Sequence, residues 1–106
     1  MSNFDSCIIQ YNNAIHGAGG GIANENGDII VNNCIIQNNI SLVGGGIVNA
    51  NNGILNVYGS IITNNTAYTD GGAIFNTLST TIAHYNIFNN IMHHQEVQLV
   101  VIVTVL

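Results

Sequence analysis

The sequence predicts an all-β fold, a parallel β-helix of between three and four coils of about 26 residues. Three observations predict it. The first is self-similarity. Ile9, Ile36, Ile62 and Phe88 recur at spacings of 27, 26 and 26 residues, with Asn12, Asn39 and Asn65 three places after the first three. A fixed period of about 20 to 50 residues marks a solenoid. The second is the texture of the apolar runs, which are short, rich in β-branched residues and bounded by Gly and Asn, as strands are. The third is a repeated corner. Gly19–Ile22 and Gly44–Ile47 read GGGI, residues 71–74 read GGAI, and each is followed two places after its Ile by Asn24, Asn49 or Asn76.

Taken in order, the coils are residues 2–27, 28–53 and 54–79, with a fourth beginning at 80 and losing the pattern after 90. Within them Ile29-Ile30-Val31, Cys34-Ile35-Ile36, Leu55 with Val57, and Ile61-Ile62 read as strands of three to five residues. No stretch carries a 3.6-residue apolar stripe long enough for a stable helix. Only Leu42, Leu55 and Leu78 precede the tail, too few leucines for a leucine-rich repeat. Stacked coils place equivalent residues about 4.8 Å apart. Ile9, Ile36, Ile62 and Phe88 should therefore form one inward column, and Ile22, Ile47 and Ile74 another. An amide side chain both donates and accepts, so Asn12, Asn39 and Asn65 are expected to form an inward hydrogen-bonded ladder. The paired glycines Gly19-Gly20, Gly44-Gly45 and Gly71-Gly72 fit a sharp corner that needs positive φ and close backbone approach.

Composition narrows the function. The chain has no Lys or Arg, five acidic residues and a net charge of −5. Without cations there is no basic patch for phosphates, so nucleic acid is not an expected partner, and anionic membrane surfaces are disfavoured for the same reason. No signal peptide is visible at the start, and the ten apolar-rich residues VQLVVIVTVL are too short to span a bilayer as a helix, so no membrane span is expected. Cys7 and Cys34 share a repeat position and lie within disulfide reach. Ser60 and Asn86 hold the same position without bridging, which favours two reduced thiols. His16 and His84 occupy different repeat positions and His93-His94 lie beyond the repeat, so no metal site is expected. Glu25 and Asp28 could share a calcium ion at one turn, but two solvated turn carboxylates are the simpler reading. Asn39-Ile40-Ser41 and Asn64-Asn65-Thr66 match the glycosylation pattern, although Asn39 is expected to be buried. Outward-facing Ile8, Ile35, Ile61 and Ile87 would make one apolar strip.

The pairing of GG[GA]I with an upstream aromatic-or-Ile-x-x-Asn resembles the repeat of the chlamydial polymorphic outer membrane proteins, whose motifs are GGA[ILV] and FxxN. The segment GILNVYGSIITNNTAYTDGGAIFN, residues 53–76, is also similar to arrays in the adhesin-like surface proteins of methanogenic archaea. The resemblance covers about residues 2 to 90, with Ile in place of Phe at three of four FxxN positions. It implies right-handed winding, an extracellular, cell-surface parent protein linked to adhesion, a glycan or protein surface ligand for that parent, and no catalytic residue or cofactor.

Parallel β-helices also include enzymes acting on acidic polysaccharides. Lyases of this fold use Arg or Lys near the scissile bond, and this chain has neither. Hydrolases need converging carboxylates, whereas Asp5, Asp28 and Asp70 occupy three different repeat positions. A non-catalytic structural fragment is thus the leading expectation, with a carbohydrate-active enzyme as the alternative. A glycan-binding module ranks third, because Tyr11, Tyr58, Tyr68 and Tyr85 fall at four different repeat positions. With no charged or Pro-rich cap at either end, the open solenoid ends should favour self-association.

Residues 91–106 break every habit of the chain, with no Asn and no Gly. Joining the third base of each codon to the first two of the next permits Ala-Ser-Ser-Gly-Gly-Ala-Ile over Met92 to Leu99, about where a fourth GGAI is due. No stop codon is possible in that frame as far as Leu106. The plain reading of the tail is a final β-strand or a disordered end; the shifted frame instead makes it out-of-frame translation, with its Val/Ile run an unselected aggregation risk. Sequencing the locus decides this: the expected result is a shifted frame that continues the repeat downstream.

Overall fold

The computed structural model describes residues 1–70, 72–89, 92 and 93. Residues 71, 90, 91 and 94–106 lie outside the described residues, and with them all of the shifted-frame reading but its first two positions, Met92 and His93. Every sheet pairing is parallel, and the described residues contain strands but no helix. The first coil comprises β1 (Ser2–Asp5), β2 (Ile8–Gln10), β3 (Asn13–Ala18) and β4 (Ile22–Glu25). The second comprises β5 (Asp28–Asn32), β6 (Ile35–Gln37), β7 (Ile40–Val43) and β8 (Ile47–Ala50). The third comprises β9 (Ile54–Tyr58), β10 (Ile61–Thr63), β11 (Thr66–Asp70) and β12 (Ile74–Thr77). Three strands of a fourth follow: β13 (Thr80–His84), β14 (Ile87–Asn89) and β15 (Met92–His93). Equivalent strands stack into four sheets, β1-β5-β9-β13, β2-β6-β10-β14, β3-β7-β11-β15 and β4-β8-β12. The chain is a four-sided parallel β-solenoid.

Register explains the spacings. Ile9 pairs with Ile36, Ile36 with Ile62 and Ile62 with Phe88. Ile22 pairs with Ile47 and Ile47 with Ile74. The coils differ in length on the third side. Ala14 to Ala18 in β3 lies opposite Ser41 to Val43 in β7, which in turn lies opposite Ala67 to Asp70 in β11. The extra residues bulge out and leave the pairing on either side intact. A solenoid can vary its perimeter on one face without losing register on the others.

The four corners share one backbone device. Each coil turns on residues of positive φ at equivalent places. The first corner uses Ser6, Asn33, Gly59 and Tyr85, and the second Tyr11, Asn38 and Asn64. The third uses Gly19 and Gly44, and the fourth Asn26, Asn51 with Asn52, and Leu78. These account for every positive-φ residue among those described. Asn is the residue besides Gly that tolerates this region best, and Asn26, Asn33, Asn38, Asn51, Asn52 and Asn64 take it at these corners.

The interior is a stack of β-branched and small side chains. Ile36, Ile47, Leu55, Ile62 and Ile74 are completely buried, as are Val31, Ala67 and Ala73. Ile9 and Phe88 occupy the same column as Ile36 but are only half-buried, because they lie in the end coils. The first side supplies two further inward columns. One is Phe4, Val31, Val57 and Ala83, and the other runs through Ile29, Leu55 and Thr81. Alternation along Asp28–Asn32, with Ile29 and Val31 buried between half-exposed neighbours, is the period-2 signature of a half-buried strand.

Candidate functional site

The polar residues singled out by the repeat lie at the corners, and their chemistry is directed at the next coil. At the second corner the amide Nδ2 and backbone N–H of Asn12 both donate to Asn39 Oδ1, at 3.0 and 3.1 Å. Asn39 donates in the same way to Asn65 Oδ1, at 3.1 Å from Nδ2 and 3.0 Å from the backbone. The amides of Asn39 and Asn65 also donate to the carbonyls of Ile9 and Ile36. Asn39 and Asn65 are fully buried, and Asn12 is exposed at the open end.

A second asparagine ladder runs parallel to the first, beside the fourth corner. Asn24 Nδ2 donates to Asn49 Oδ1 at 2.8 Å, and Asn49 Nδ2 lies 3.0 Å from Asn76 Oδ1. Asn24 and Asn76 donate to the carbonyls of Gly27 and Ser79, closing their own corners. Thr81 Oγ1 donates to Asn76 Oδ1 at 2.6 Å and caps the ladder. The sequence carried this signal as the Asn two places after each GG[GA]I. It passed unassigned because a recurring Asn at a turn is accounted for by backbone conformation alone.

The first corner repeats the device with other side chains. The backbone N–H of Cys34 donates to Ser60 Oγ at 3.1 Å, and that of Ser60 to Asn86 Oδ1 at 2.9 Å. That of Cys7 points at Cys34 Sγ from 3.4 Å. At the fourth corner Gly53 N–H donates to Ser79 Oγ. The cause is geometric. At the first and second corners the backbone N–H just past the positive-φ residue, as in Cys34, Ser60 and Asn39, donates to a side chain of the next coil and not to a carbonyl. A short polar side chain there satisfies a donor that would otherwise be buried unpaired.

Cys7 and Cys34 are free thiols. Burial pushes the Cys34 thiol above its ordinary pKa, with neighbouring Cys7 adding to the rise and backbone hydrogen bonds opposing it. A protonated, buried thiol is a weak nucleophile, so Cys34 is held in the less reactive form.

At the third corner Gly19 and Gly44 have φ of 73° and 65°. A Cβ on Gly20 would collide with the carbonyl oxygen of Gly45, and one on Gly45 would lie 2.5 Å from that of Gly72. In the pairs Gly19-Gly20 and Gly44-Gly45 the second glycine is thus fixed by its neighbour coil and the first by its own backbone. The small third residue, Gly21, Gly46 or the fully buried Ala73, faces the isoleucine column.

Outward residues form two features. Ile8, Ile35, Ile61 and Ile87 align in register on the second side; Ile35 is half-buried and the others are exposed. Tyr58 and Tyr85 meet edge to face with ring centroids 5.5 Å apart, and His84 lies 6.3 Å from Tyr85. The tyrosines are 50 % and 82 % exposed, so the pair is available to solvent although its members hold different repeat positions. Contact arises because Tyr85 sits at the corner that follows the strand neighbouring Tyr58.

Among the described residues the ionisable side chains do not converge. Asp5 accepts from Ser6 Oγ on the first side, and Asp28 pairs in register with Ile54. Asp70 pairs in register with Val43 on the third side. Glu25 and Asp28 flank the fourth corner, and exposed His16 and His84 lie on different sides. Among the described residues no three His, Cys, Asp or Glu side chains are grouped as a metal site would require, and no helix is long and apolar enough to cross a membrane. Of the two glycosylation patterns, Asn39 is buried and Asn64 is exposed. Comparison with protein-family models, with curated proteins and with solved structures finds no match for the chain.

Proposed function

We propose that this chain is a non-catalytic structural module of an adhesin-like cell-surface β-helix protein, wound right-handedly. The observation that carries the reading is the use of the repeat's polar side chains. Asn12, Asn24, Asn39, Asn49, Asn65, Asn76, Ser60 and Asn86 all hydrogen-bond between coils or close their own corners. Chemistry spent on stacking leaves little to bind or turn over a substrate. The GG[GA]I and x-x-Asn motifs, whose residues build two of the corners, support the adhesin-like assignment, since they are the motifs the two surface-protein repeats share. Right-handed winding follows the general preference of parallel crossover connections. The test is incubation with pectate, polygalacturonate and alginate, read as new reducing ends or unsaturated products. No turnover is expected. Turnover lost in Asp28→Asn would overturn the reading in favour of a carbohydrate-active enzyme.

The exposed Tyr58–Tyr85 pair with His84 favours a second reading, a surface glycan-binding module. Aromatic faces stack on sugar rings, but an edge-to-face pair presents one face and not a flat platform. Binding to a glycan array that disappears in Tyr85→Ala would establish it.

A further inference from the structure

We propose that Asn26-Gly27, at the fourth corner of the first coil, is a site where the chain modifies itself. It closes a succinimide that water opens to isoaspartate or aspartate, while the equivalent Asn52-Gly53 of the second coil is held back by its hydrogen bonds. The proposal concerns the chemistry of this corner and is independent of what the parent protein does.

Three observations carry it. First, Asn26 and Asn52 are the two of the 19 asparagines that precede a glycine. With no Cβ, glycine leaves its backbone nitrogen open to the side-chain carbonyl of the residue before it. Asn26 and Asn52 are both exposed and both of positive φ, at 58° and 65°, so the two sites share residue types, corner and exposure. Second, the two nucleophiles differ. The N–H of Gly53 is buried and donates to the carbonyl of Ala50 and to Ser79 Oγ, each at 3.1 Å. The N–H of Gly27 has no acceptor among the described residues, although its carbonyl accepts from Asn24 Nδ2 and the N–H of Ile54. The cause lies in the following coil. Ser79 stacks on Gly53, whereas the residue that stacks on Gly27 is Gly53, which brings no side chain. Third, this corner already varies in length. Glu25 pairs with Ala50 and Asp28 with Ile54, so the second coil carries one residue more here than the first, and the pairing on either side is intact. Isoaspartate lengthens the backbone by one carbon, less than the residue already accommodated.

The step is a substitution followed by a hydrolysis, with water the only co-reactant. The Gly27 nitrogen gives its proton to water and attacks Asn26 Cγ, forming the ring C–N bond. The bond from Cγ to Nδ2 breaks, and Nδ2 leaves as ammonia. Water then adds to one of the two ring carbonyls. Breaking the bond from the Gly27 nitrogen to Cγ gives aspartate, and breaking its bond to the Asn26 backbone carbonyl carbon gives isoaspartate. Either product adds one negative charge to the net −5, between Glu25 and Asp28. A hydrogen-bonded, buried N–H must leave its acceptors before it can attack, a barrier present at Gly53 and absent at Gly27.

Incubation of the full chain at mildly alkaline pH tests this. The chain is then unfolded and cut with chymotrypsin after Tyr11, Leu42 and Leu55, which puts Asn26 and Asn52 on different peptides. Tandem mass spectrometry reads conversion of amide to acid at each site. Methylation by protein isoaspartate methyltransferase with S-adenosylmethionine reports the isoaspartyl product. In the folded chain Asn26 is expected to convert about tenfold faster than Asn52, the factor that a buried hydrogen bond contributes. In urea the two rates should converge, because both nucleophiles are then solvated. Ser79→Ala, which takes one acceptor from Gly53, is expected to speed conversion at Asn52 and leave Asn26 unchanged. If that variant loses its β-sheet circular dichroism, the comparison of the two sites within the unmodified chain decides alone. Asn52 converting as fast as Asn26 in the folded chain would overturn the proposal, as would an Asn26 that stays intact there but converts in urea. A rate difference that persists in urea would overturn it too, because the flanking residues and not the hydrogen bonds would then set the rates.

Discussion

At the residue scale, the least replaceable side chain is Asn49. Its Oδ1 accepts from Asn24, and its Nδ2 lies within hydrogen-bonding distance of Asn76, Thr80 and Thr81. Asn49→Ala removes buried hydrogen bonds to both neighbouring coils, although Asn24 and Asn76 each keep a second partner, and is expected to lower unfolding free energy by about 2 kcal/mol, while Asn12→Ala at the solvated end should cost under about 1 kcal/mol. Urea midpoints of the two variants check the contrast, and equal losses would mean the ladder is not cooperative through its centre. The same scale holds a pH effect. Burial holds the Cys34 thiol above its ordinary pKa, so the folded chain keeps a proton that the unfolded chain releases. Stability is therefore unaffected through neutrality and falls as pH rises above about 8.5. Cys34→Ser should remove that part of the alkaline loss. In the native protein, half-buried Cys7 should be alkylated before Cys34. The Asn12, Asn39 and Asn65 column was legible in the sequence because the same letter recurs. The column Ser6, Asn33, Gly59 and Tyr85 was not, since its shared property is a positive φ that four different residue types adopt.

At the scale of elements, the corners set the fold more than the strands do. Any β-branched run can fill a side of the coil, but Gly45 has no substitute. A Cβ there meets the carbonyl oxygens of Gly72 and Thr66 at 2.5 and 2.7 Å, both backbone atoms that no rotamer change can move. Gly45→Ala is expected to lower stability by about 3 kcal/mol or more, in the range of the most disruptive single substitutions. The opposite change is available at the fourth corner. Leu78 sits at φ 50°, where Asn26 and Asn52 stand in the coils before it, and its side chain is exposed. Leu78→Asn should stabilise by about 1 kcal/mol, because Asn tolerates the left-handed region that strains Leu. Thermal or urea unfolding of both variants reads the two signs. GG[GA]I was legible as a corner because sterics leave glycine alone there. The bulges of the third side were not, because an outward loop of varying length imposes no residue type on the sequence.

At the scale of the whole molecule, stability should be graded along the solenoid axis. Each coil touches only the coils on either side, so its free energy is an intrinsic term plus one interface per neighbour. The end coils have one interface and a half-open core, and the middle coils have two interfaces and complete burial of Ile36, Ile47, Leu55 and Ile62. A chain with no Lys or Arg has no cation other than its N-terminus and histidines to pin its ends by ion pairing, so the gradient rests on burial and hydrogen bonds alone. Opening of the first coil exposes Phe4, Cys7 and Ile9, which water already reaches in part, and frees a ladder bond whose outer member, Asn12, is already solvated. Opening of the second coil would expose fully buried side chains and break both asparagine ladders at their centres, at Asn39 and Asn49. Native-state hydrogen exchange is therefore expected to show the slowest amides in the second and third coils, exchanging by global unfolding, and faster amides in β1 and β2 through sub-global fraying. Protection that is uniform from β1 to β12 in dilute solution would show that the coils unfold as one unit.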